Sequence, residues 1–141
     1  MTRRQQPAAV GPPPPPENLR LSKATRDQIA TLKRRTGIKH MNVLCRWALC
    51  RSLAEPVPPP HAETDTVVEI AWKVFAGPAG PLWWALLLMK ESHAAPAGPP
   101  LEAEHAAALL RAHVARGMSY LVGDPDVRDA TSLARLALQP A

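Results

Sequence analysis

The run Asn18-Leu19-Arg20-Leu21-Ser22-Lys23, continued by Ala24-Thr25-Arg26-Asp27-Gln28-Ile29-Ala30-Thr31-Leu32-Lys33-Arg34-Arg35-Thr36-Gly37, decides the reading of this chain. Polar and apolar residues alternate from Asn18 to Ser22, so a strand here sets Leu19 and Leu21 on one face and Arg20 on the other. Ser22 can cap a helix that runs through Arg35 and is closed by Gly37, which tolerates a left-handed conformation. On that helix the 3.6-residue period groups Lys23, Arg26, Asp27, Ala30, Lys33 and Arg34, with Thr25, Gln28, Ile29 and Leu32 opposite. After the turn Gly37-Ile38-Lys39-His40-Met41, Asn42 is the expected cap of a second helix through Ala54, stopped by Pro56. Val43, Leu44, Cys45, Trp47, Leu49, Cys50 and Leu53 make that helix apolar on nearly every side, which predicts burial or a subunit contact.

Strand, amphipathic helix and apolar helix follow one another in the order of a ribbon-helix-helix start. In that architecture strands from two chains pair, outward side chains enter the major groove and helix termini meet phosphate. Arg20 would be the outward arginine. Lys23, Arg26, Lys33 and Arg34, with Arg35 and Lys39 near the turn, would neutralise backbone charge, and Arg46 on the second helix completes the candidate DNA-binding set. The Lys33-Arg34-Arg35 run is expected to carry much of the affinity. A single outward arginine gives little base readout, so phosphate contact is the favoured mode. A plainly solvated basic helix face is the competing reading.

Charge distribution points the same way. The net +5 of the 141-residue chain conceals a basic first third: residues 1–51 hold eleven Lys and Arg against Glu17 and Asp27, a local +9. The remainder, with six bases and ten acids, carries −4. A basic block of this kind suits a polyanion.

Further out, Met1 to Pro16 ends in five prolines, lacks periodicity and reads as a disordered leader. One ordered domain is then expected over residues 17–139. Glu69 to Val74 alternates, with Ile70, Trp72 and Val74 on one side, and suggests a strand, although a helix is also compatible. Leu82 to Glu91 reads as a buried helix with Pro81 at its first turn. From Leu101 to Val122 an amphipathic helix repeats Ala106, Leu110, Val114, Gly117 and Leu121 at steps of three and four. Asp124-Pro125 is the expected opening of a last helix with a Leu133, Leu136, Ala137 stripe, and Asp124, Asp126 and Asp129 would sit at its N-terminus. The core is thin, since 24 of the apolar residues are alanine. No span approaches the roughly 20 apolar residues that cross a bilayer, which places the protein in the cytoplasm.

Catalytic patterns are lacking. His40, His61, His93, His105 and His113 form no His-Glu-x-x-His pair, no Cys-x-x-Cys is present, and no glycine-rich phosphate loop appears, so neither metal nor cofactor is expected. His113 reads as a packing residue. Cys45 and Cys50, about 140° apart on one helix, read as small buried hydrophobes in a reducing compartment.

Leu19-Arg20-Leu21-Ser22-Lys23, Leu32-Lys33-Arg34-Arg35-Thr36-Gly37-Ile38, Asn42-Val43-Leu44-Cys45-Arg46 and Cys50-Arg51-Ser52-Leu53-Ala54-Glu55-Pro56 together resemble the DNA sulfur modification protein family DndE. Arg111-Ala112-His113-Val114-Ala115-Arg116-Gly117 is similar to that family's late helix motif. The resemblance is specific from Leu19 to Pro56 and weaker from Glu69 to about Leu121; the proline-rich leader falls outside it. Gly77 to Trp84 departs from it, with prolines in place of polar and acidic residues. It implies a mainly helical homotetramer and a non-catalytic subunit that binds duplex or nicked DNA and works with DndC and DndD while phosphate oxygen is replaced by sulfur. A protein-interaction adaptor anchored by Trp83 and Trp84, or a ribbon-helix-helix transcription regulator, are the alternatives; Trp83 and Trp84 read first as core or oligomer contacts.

Overall fold

The structure is a computed structural model that describes residues 11–138. The part of the expected leader before Gly11, and the domain end at Gln139, lie outside the described residues. The chain is mainly helical, with a short two-stranded antiparallel sheet at its start. Strand β1 (Asn18–Leu21) leads into α1 (Lys23–Thr36) and α2 (Met41–Leu53), and the proline spacer then connects to β2 (Val68–Ala71). Next come α3 (Trp72–Ala76), a 3-10 turn over Gly77–Ala79, α4 (Gly80–Ala94), α5 (Ala103–Gly123) and α6 (Ala130–Arg135).

The expected strand-helix-helix start is present, and β1 finds its partner within its own chain. Leu19 pairs with Ile70 and Arg20 with Glu69. Leu19, Leu21 and Ile70 point into the core, leaving Arg20 and Glu69 on the outer face. The Val67 amide donating to Leu21 O at 2.9 Å and the Trp72 amide donating to Glu17 O at 2.8 Å extend the pairing at both ends. The expected strand from Glu69 to Val74 therefore stops early. Beyond Ala71 the chain turns helical, burying Phe75 while Val74 remains exposed.

Ser22 caps α1, its hydroxyl accepting from the Thr25 amide at 3.2 Å, and Gly37 ends it at φ 72°, where a Cβ would be strained. Buried Thr25, Ile29 and Leu32 form the inner side of α1 as the periodicity predicts. Two caps fall elsewhere than expected. His40, not Asn42, occupies the cap position of α2, and the Asn42 amide group instead donates to Val74 O at 3.1 Å. Asp129, not Asp124, opens α6: its carboxylate accepts from the Ser132 amide at 2.7 Å and the Ser132 hydroxyl accepts from the Asp129 amide, a reciprocal capping box. Asp124 belongs to the preceding turn, accepting from the Asp126 amide.

The core centres on the crossing of α2 and α5. Leu44, Cys45, Ala48 and Leu49 meet Ala106, Leu110, Val114, Met118 and Leu121 there, all buried. The helices approach so closely at Gly117 that a Cβ would stand 1.7 Å from Ala48 O. Glycine is required here by lack of space. Leu19, Leu21, Ile29, Leu32, Phe75 and Leu133 close the core around this seam.

Candidate nucleic-acid interface

Positively charged side chains follow the outer edge of α1 because the helix buries only its Thr25, Ile29, Leu32 side. Lys23, Arg26, Arg34, Arg35 and Lys39 are exposed, and Lys33 is half-buried on the side that approaches Cys45 of α2. Among the described residues Arg26 reaches only its neighbour Asp27, at 3.4 Å, and Arg34 only the Thr31 hydroxyl, also at 3.4 Å. Lys33 and Lys39 make no ion pair among the described residues. Last-turn Lys33, Arg34 and Arg35 also offset the negative end of the α1 dipole, a local role that leaves their outer atoms accessible.

Acidic residues settle at the other end of this edge. Arg20 is outward as expected but faces its cross-strand partner Glu69, Nε to Oε1 3.4 Å, both side chains more than half exposed. Asp65 accepts from the Lys23 backbone amide at 3.0 Å and so supports the α1 N-terminus. The most uncompensated stretch runs from Lys33 to Lys39.

Two members of the expected set serve the fold directly. Arg35 donates from Nη1 to Val122 O at 2.6 Å, satisfying a carbonyl in the last turn of α5. Arg46, half-buried, donates from Nη1 to Phe75 O at 2.9 Å and ties α2 to the end of α3. Neither commitment was legible in the sequence, since both arise from segments distant along the chain.

Sequence reasoning also missed the polar cluster at the α2–α5 crossing. Arg116, only 9% exposed, donates from Nε to Ser52 Oγ at 2.8 Å, from Nη2 to Ser52 O at 2.9 Å and from Nη1 to Val57 O at 2.6 Å. His113 Nδ1 lies 2.8 Å from the same Ser52 hydroxyl. Burial, with the charges of Arg116 and Lys90, pushes the His113 imidazole down to about 4. A serine beside a histidine suggests a nucleophile and its base, but Ser52 is fully buried, its hydroxyl oxygen accepting from Arg116 Nε–H, and its burial denies it reach to a substrate. The cluster joins the end of α2, the proline spacer and α5. Nearby, Lys90 donates to Glu55 O at 2.6 Å, and Arg51 pairs with Glu55 at 2.6 Å and stacks over Tyr120 at 4.9 Å.

The two cysteines separate. Cys45 is buried, and burial pushes its thiol up to about 12, which suits packing and opposes thiolate chemistry. Cys50 corrects the expectation of two buried cysteines: it stands exposed, one step round α2 from the face that meets α5. There it lines an open, largely apolar cavity of about 510 Å³ with Val43, Arg46, Trp47, Trp83 and Leu136. No group of three or more His, Cys, Asp or Glu among the described residues could hold a metal ion, and no helix there is long and apolar enough to cross a membrane.

Fold and charge thus define a small helical protein with a cationic helix edge and a polar-pinned crossing of its two central helices. The family model described as DNA sulphur modification protein DndE matches residues 18–129, and the chain belongs to the DndE family. The solved structure of DndE from Escherichia coli B7A, involved in DNA phosphorothioation modification, is similar at a TM-score of 0.62 and 25% identity, over 77% of this chain and 98% of that one. No curated protein matches this chain.

Proposed function

We propose that this protein is a non-catalytic, DNA-binding subunit of the machinery that replaces a non-bridging phosphate oxygen of DNA with sulfur. The carrying observation is the edge formed by Lys23, Arg26, Lys33, Arg34 and Lys39, exposed or half-exposed, whose side chains pair among the described residues with no acid but Asp27, on a chain of the DndE family. Such an edge suits the phosphate backbone of duplex or nicked DNA, with Arg20 available at its far end once it exchanges Glu69 for phosphate. Arg35 and Arg46 contribute through the fold, and electrostatically from where they stand. DndC and DndD, expected partners in the cytoplasm, supply the nucleotide-dependent chemistry in this reading.

The ribbon-helix-helix regulator is the weaker reading, because β1 already pairs along one edge with β2 of its own chain. Self-association into a tetramer draws on the outer face of α2 and the adjoining α4, where Trp47 and Trp83 remain only half-buried.

Replacing Lys23, Arg26, Lys33 and Arg34 together by Gln tests the assignment. Each lost phosphate contact lowers the slope of log K against log salt by about 1, so duplex binding should weaken and the slope should fall by about 3 to 4. An unchanged slope in the folded variant removes these residues from the interface.

A further inference from the structure

The proline run Pro12 to Pro16 precedes the part of the chain that the family model matches, so the DndE reading gives it no role. Its first four prolines lie against α4. The Trp84 indole Nε1 donates to Pro13 O at 2.7 Å, although Trp84 is only 6% exposed and 71 residues away in sequence. Pro12 to Pro15 line one side of a groove of about 600 Å³ whose other side includes Trp72, Pro81, Trp84, Leu88 and Met89. Trp72 meets Trp84 edge-on, with ring centroids 5.6 Å apart, which fixes the indole that faces the run.

Two complementary deficits meet in this groove. A run of prolines offers carbonyl acceptors and no amide donors, and its restricted backbone loses little entropy on docking. A buried tryptophan supplies an indole donor that needs an acceptor, together with a flat apolar surface. We propose that the α4 groove is a polyproline-recognition site, with Trp84 as its donor and the chain's own Pro12 to Pro15 as its resident ligand. The pairing is of the kind used by aromatic-lined grooves that read extended proline segments. Held in this way, the leader covers the apolar outer side of α4 beside Met89, which is still 55% exposed.

The test uses the full-length chain, labelled with nitrogen-15, and a variant with Pro12→Ser, Pro13→Ser, Pro14→Ser and Pro15→Ser, changes that leave the core untouched. The Trp84 indole signal is identified by its loss in Trp84→Phe. Its hydrogen exchange should accelerate about tenfold or more in the serine variant, as a local opening requires. Adding the acetylated, amidated peptide Gly-Pro-Pro-Pro-Pro-Pro-Glu should then restore slow exchange in a saturable way, while a Gly-Ser peptide of equal length should not. Unchanged exchange in the variant, failure of the proline peptide, or equal rescue by the Gly-Ser peptide would each overturn the proposal. Rescue by unlabelled wild-type chain at equal concentration would assign the occupant to a neighbouring copy and overturn occupation within one chain.

Discussion

On the outer edge of α1, Arg26 and Arg34 touch, among the described residues, only an adjacent carboxylate and a hydroxyl; where α2 crosses α5, Arg116 gives three nitrogens to Ser52 and Val57. The residue type is the same and its physical work is opposite. In water, a guanidinium keeps its donors exchangeable and can hand them to phosphate at little cost. Enclosed by protein, the same group must have every donor answered, and it then locks the segments that answer it. DndE-family function in this chain is therefore expected at the edge, and DndE-family stability at the crossing.

The crossing should break most readily. Gly117→Ala places a methyl group inside the backbone of Ala48, so the helices must separate, and a loss of more than about 4 kcal/mol is expected in urea unfolding. Arg116→Met fills similar volume but takes the guanidinium donors from Ser52 Oγ and Val57 O, while Ser52 O keeps the Glu55 amide, and should cost about 3 kcal/mol by the same assay. Neither change alters the α1 edge. A partly folded fraction of either variant that kept full salt dependence of DNA binding would sharpen the contrast.

The pH dependence of stability offers a gentler probe of the crossing. His113 is held neutral down to about 4, whereas an unfolded histidine takes up its proton near 6.5. Between these values the unfolded chain binds the extra proton, so stability falls as pH drops from about 6.5 to 4 and is fully present above that window. The contribution is on the order of 3 kcal/mol at most, and it should vanish from the pH profile of His113→Gln while the profile above pH 7 keeps its shape. A wild-type profile flat from pH 4 to 7 would contradict a desolvated His113. Smallest of all, Arg20→Ala removes an exposed cross-strand pair and should change stability by less than about 1 kcal/mol, measured against Glu69→Ala in a double-mutant cycle.

Local grammar in the sequence announced α1 and α5 well. Ser22, Gly37 and the spacing of Ile29 and Leu32 carry the first, and the Ala106, Leu110, Val114, Gly117, Leu121 repeat carries the second, with all five residues buried. What stayed hidden depends on distant partners. The Val68–Ala71 strand ends where Trp72 begins a helix that the alternation of Ile70, Trp72 and Val74 conceals. Asp129 capped α6 through Ser132, while Asp124 looked equally suitable by type. For the candidate interface, periodicity located the solvent-facing Lys23, Arg26 and Arg34, but no local rule reveals that Arg35 meets Val122, Arg46 meets Phe75, or Arg116 meets Ser52. Cys50 escaped for the complementary reason: an apolar residue on an apolar helix carries no mark of which side its neighbours leave uncovered.

Equilibrium binding of the purified protein to matched intact and nicked duplexes, across a salt series, tests the central claim most directly. The account predicts sequence-independent binding that weakens steeply as salt rises, with the nicked duplex bound at least as tightly as the intact one. Absence of binding to either duplex at low salt would contradict it.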